Sequence, residues 1–138
     1  MVSDRHRELH RFIKERAGSS YRTAFYYHAD SWETIYVRND LQTEALGEEA
    51  PGVMERARQA EPLVREEDYP PLGETYAQTE IHEDGIVFQF PEGPNEGTIV
   101  SLDPDTAQLL TGFVTRCLSI LETPNSNTYR YREQNTTE

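Results

Sequence analysis

Few residues in this chain have the types and spacing for chemistry. His6 and His10 stand one helical turn apart in HRELH, the spacing of two metal ligands on a helix. The order differs from an HExxH zinc site because glutamate takes the third position, and only Glu8 or the remote His82 is at hand to complete a ligand set. Both histidines flank an apolar stripe, where amphipathic side chains are ordinary. Cys117, the single cysteine, falls on the apolar stripe of a helical segment, with no cation nearby in sequence to stabilise a thiolate. A small buried hydrophobe is expected there rather than a nucleophile. The pairs Glu48/Glu49, Glu66/Glu67 and Glu83/Asp84 occupy polar or turn-like surroundings, whereas acid–base work needs an enclosed carboxylate. PEGPNEG (91–97) has glycines but no following lysine or helix, so it reads as a hairpin loop and not a phosphate loop. SLDPDT (101–106) reads as a corner: Asp103 caps a helix, Pro104 takes its first position, and Asp105 faces the positive end of the helix dipole. The sequence therefore predicts no catalytic, cofactor or metal site.

Composition narrows the setting. A chain of 138 residues suits one domain that buries roughly 68% of its unfolded surface. Mean hydropathy is −0.78, yet apolar residues cluster into segments, as in a thin-cored globular domain. No apolar run is long enough to span a bilayer, and the N-terminus MVSDRHRELHRF has no signal-peptide core, so a cytoplasmic protein without membrane partners is expected. The 25 acidic residues outweigh 13 basic ones, for a net charge of −12, and Lys14 is the only lysine. Such a balance opposes nucleic-acid binding, which needs a basic face. It resembles the balance of proteins from salt-accumulating haloarchaea, whose surface carboxylates stay hydrated while salt screens their repulsion.

The elements follow from periodicity and turn chemistry. Residues 3–17 read as a helix capped by Ser3 or Asp4, with Leu9, Phe12, Ile13 and Ala17 on one face. Residues 20–28 and 32–39 read as a hairpin rich in tyrosine, which suits interfaces as well as cores. The stretch 40–67 is helical but broken: a short turn ends at Leu46, and Pro51 starts a second helix over 51–64. Strands are expected over 74–81, 85–90 and 97–102. The helix over 104–121 is the most apolar element and is expected to be deeply packed, with Leu110, Val114, Cys117, Leu118 and Leu121 on its stripe. Residues 1–122 are thus read as a single α+β domain, and 123–138 as a flexible C-terminal tail. Within the tail Tyr129, Arg130, Tyr131 and Arg132 form a candidate docking motif for a partner.

The order helix-strand-strand-helix-strand-strand-strand-helix over residues 3–121 resembles the Roadblock family, within the profilin-like class of α+β domains. IYVRND, GIVFQFPEG and GTIVSLDPDTAQLLTGFV also look like parts of a group of small, acidic haloarchaeal proteins. The Roadblock resemblance implies a five-stranded antiparallel sheet in the order 2-1-5-4-3, with helices on both faces. It implies a homodimeric, non-catalytic module that scaffolds or regulates, with a protein partner such as a small GTPase. Applied to this chain, it puts a two-fold interface at the strand 74–80 and the helix 51–64, with Val53, Met54, Ala57, Thr75, Tyr76 and Gln78 as candidate contacts. Two alternatives differ in kind: a PAS-like small-ligand sensor, which needs a cavity beneath the sheet, and a transcription-associated regulator, which needs a basic reading element.

Overall fold

A computed structural model describes residues 3–121 of the chain. The described residues fall into two compact units, 3–106 and 107–121. The first holds all five strands and two helices; the second holds, among the described residues, the last helix.

Helix α1 spans Asp4–Ala17 and begins at Ser3, whose Oγ accepts from His6 N–H at 3.4 Å. That bond satisfies one of the first-turn donors left without an intrahelical partner. Gly18 ends it at φ +56°, a left-handed conformation that glycine adopts without steric cost. Strands β1 (Tyr21–His28) and β2 (Ser31–Val37) form a hairpin. Helix α2 runs unbroken over Glu44–Gln59, capped by Thr43, with Pro51 inside it. The expected restart at Pro51 does not occur. Proline removes one helical bond, here the one owed to Gly47 four residues earlier, and both residues are exposed, so water can serve the freed carbonyl.

Strands β3 (Gln78–His82), β4 (Gly85–Gly93) and β5 (Glu96–Leu102) follow. The sheet is antiparallel throughout, in the order β2-β1-β5-β4-β3. The fold is therefore α+β with a five-stranded open sheet, as expected. PEGPNEG is mostly strand: β4 continues through Pro91, and only Pro94 and Asn95 make the turn, Asn95 at φ +60°.

Alternation along β1 and β5 divides the core into two layers. On one face Ile13 of α1 packs with Tyr21, Ala24 and Val100. On the other, Met54 of α2 packs with Phe25, Tyr27 and Ile99. Consecutive aromatics in β1 thus serve opposite faces, as expected of a strand covered on both sides.

In the second unit, helix α3 covers Gln108–Leu121. Its apolar stripe forms at the expected spacing, but none of its residues is buried, and Cys117 is partly exposed. Deep packing of the stripe is therefore not a property of this unit by itself, since helical periodicity specifies a face and not its cover.

Candidate interaction surface

SLDPDT is a corner, though not by helix capping. Asp103 N–H donates to Ser20 O at 2.8 Å, while the carboxylate accepts from Arg22 Nη1 at 3.3 Å and Arg38 Nη1 at 2.8 Å. Arg38 also donates to Asp40 and to Ser19 O, so a single guanidinium ties the end of β2 to the start of β1 and the end of β5. The hydrogen bond from Arg38, against the opposing effect of burial, holds the Asp103 carboxyl below the usual carboxylate range. Residues 104–107 then form a 3₁₀ turn instead of the first turn of the α-helix.

The two histidines of HRELH are separately engaged. His6 is 2% exposed, with Nδ1 2.9 Å from Ser3 Oγ and Nε2 3.2 Å from Glu92 Oε1. Glu92 also accepts from Arg5 and Thr98, which closes α1 onto the β4–β5 hairpin. Burial pushes the Glu92 carboxyl up, but the hydrogen bonds of Thr98 and Arg5 and the nearby charges outweigh it and hold the group low. His10 Nδ1 lies 3.0 Å from Tyr21 Oη. The three carboxylate pairs are exposed.

The predicted interface residues divide. Among the described residues β3 pairs with β4 alone and ends the sheet, so it leaves one row of backbone groups without a strand partner there. Gln78 is its first residue, and its side chain donates to Glu61 O at 3.3 Å. Thr75 and Tyr76 precede the strand, and Tyr76 is 80% exposed. The expected strand over 74–81 is therefore shorter at its start. Val53 is 37% exposed and Ala57 half-buried, but Met54 is 1% exposed and belongs to the core. Its assignment to an interface is corrected: the step of about 100° from Val53 turns Met54 down into the layer of Phe25, Tyr27 and Ile99, while Val53 stays at the rim. Tyr129, Arg130, Tyr131 and Arg132 lie outside the described residues.

Between α2 and the β3–β4 edge runs a groove of about 510 Å³. Val53, Arg56 and Ala57 form its helical wall, and Gln78, Val87 and Gln89 its floor. The register pairs Gln78 with Gln89 and Glu80 with Val87, which sets this alternate row toward α2. Gln89 Nε2 donates both to Ala57 O at 2.9 Å and to Tyr27 Oη at 2.8 Å, fixing the helix over the floor. Tyr27 in turn rests on Gly97, where a Cβ would lie 2.5 Å from its hydroxyl. Periodicity carries no signal for Gln89 or Gly97; the run of glycine and β-branched residues at 97–100 was the nearest sign of a close approach.

A family model for the domain of unknown function DUF7522 matches residues 7–122. The chain belongs to this family. The DUF7522 match takes in α1 from Arg7, the whole sheet, α2 and α3. No curated protein matches the chain. No described helix is long and apolar enough to cross a membrane.

Proposed function

We propose that this DUF7522 chain is a non-catalytic homodimeric interaction or regulatory module of a halophilic archaeon, joined through β3 and α2. The observation that carries the reading is the terminal strand β3 beside the groove under α2, with Val53 exposed on the helical wall. Antiparallel pairing of β3 with its own copy would satisfy both edges at once and continue the sheet across two subunits. The neighbouring α2 helices would then meet through Val53, Arg56 and Ala57. Met54 stays in the core of each subunit. The Roadblock resemblance supports the same assembly and a regulatory task, with a protein such as a small GTPase as partner.

Val53→Arg tests the assembly without touching the core. It should yield a folded monomer by circular dichroism and sedimentation, while the wild type sediments as a dimer. Amides of Gln78–His82 should gain protection from exchange as wild-type concentration rises. An unaltered sedimentation coefficient in Val53→Arg, or concentration-independent exchange in β3, would count against this interface.

A further inference from the structure

The opposite edge of the sheet carries a second groove. Among the described residues β2 pairs with β1 alone, so alternate backbone groups along it face away from the sheet. Side chains attend to its two ends: Gln42 Nε2 donates to Val37 O at 2.9 Å, and Arg58 Nη2 donates to Ser31 O at 2.9 Å. Between them, Thr34–Tyr36 run beside a groove of about 840 Å³, larger than the one under β3.

The two sides of this groove differ in chemistry. Toward α2 it is apolar: Phe25 meets Trp32 edge to face at 5.6 Å, with Leu46 and Ala50 on the helix. Toward α1 it holds Tyr36, with Lys14 Nζ 4.9 Å from the ring centroid. Among the described residues no carboxylate lines the groove, in a chain with 25 acidic residues. Its two cations are Lys14 and Arg38. Arg38 is committed to Asp40 and Asp103, whereas Lys14 forms no ion pair among the described residues. The only lysine of a chain with net charge −12 thus stands over the Tyr36 ring, without a carboxylate partner among the described residues, beside an open strand edge.

We propose that the β2 edge binds an extended acidic segment of a partner protein as an added strand. Side chains of a strand alternate in direction, so one row would set apolar groups against Trp32 and Leu46 while the other brings carboxylates to Lys14. The outward backbone groups of alternate β2 residues, on either side of the bulge opposite Ala24 and Phe25, supply the ladder, and the two flanking helices restrict entry to an extended chain. This site uses the edge opposite β3 and stands or falls apart from the dimer.

Trp32 is the single tryptophan, so its emission reports on this groove directly. The probes are terminally blocked seven-residue peptides with valine at alternate positions and aspartate, serine or lysine between, titrated into the full chain. The lowest salt that keeps melting cooperative should be used, because screening weakens the ion pair. The aspartate peptide should shift Trp32 emission saturably and bind about five-fold tighter than the serine peptide, with the lysine peptide weakest. Lys14→Gln should bring the aspartate peptide to the level of the serine peptide, and Lys14→Glu should invert the order of aspartate and lysine. Lys14 is exposed and outside the core, so both variants should remain folded and melt cooperatively. The proposal is overturned by absence of binding in all three sets, or by an order that ignores charge or survives Lys14→Glu. A Trp32 shift on concentrating the protein alone would also overturn it, giving this edge to a second copy.

Discussion

Asp103 and Gly97 lie six residues apart and hold the fold by different means. The Asp103 carboxylate joins two arginines from separate strands, and its depressed proton affinity makes that junction pH-dependent. A carboxyl held below its ordinary value of 3.8 adds stability that is complete above that value and is lost as pH falls through the folded one. Asp103→Asn should therefore cost about 1–2 kcal/mol near neutral pH. Its deficit should shrink on acidification below pH ~4, as a melting series from neutral pH into acid would record. Gly97→Ala acts through space alone. Its Cβ would meet Tyr27 Oη at 2.5 Å and the Phe90 carbonyl at 2.6 Å, one of them backbone. A loss of roughly 1–3 kcal/mol in denaturant unfolding is expected. Neither role was legible in the sequence. Asp103 followed by proline has the local form of a helix cap, and its real partners, Arg22 and Arg38, come from distant segments that only the folded sheet brings near.

At the scale of elements, far more was legible. The strand order is the one the Roadblock resemblance implies, and turn chemistry located the hairpins at Ala29–Asp30 and Pro94–Asn95 within a few residues. Pro51 misled because proline's cost depends on where the freed carbonyl points, and a pattern of apolar spacing does not register exposure. The interface residues on α2 were half legible for a related reason: helical spacing put Val53, Met54 and Ala57 in one apolar set without saying which faced the sheet. The structure answers with Met54, which fills the layer formed by Phe25, Tyr27 and Ile99. Met54→Ala should lower stability by roughly 2–5 kcal/mol, whereas Val53→Ala should change the monomer's own stability little. Equal losses at the two positions, measured by urea unfolding, would contradict the orientation of α2.

Across the whole molecule the excess of acid dominates, with 25 carboxylate residues against 13 basic ones. Ion pairs such as Arg38–Asp103 and Arg5–Glu92 engage part of these carboxylates, and the net charge of −12 leaves an excess that repels itself. Melting temperature should rise from low to molar KCl as screening relieves that repulsion; a flat response would speak against adaptation to salt. The same medium is the right one for the assembly, because a subunit with this charge meets its copy most easily when screened. Light scattering behind size exclusion, in molar KCl at tens of micromolar, is the most direct test. A particle of two 15.9 kDa chains is expected, reduced to one by Val53→Arg. A wild-type particle with the mass of a single chain under those conditions would contradict it.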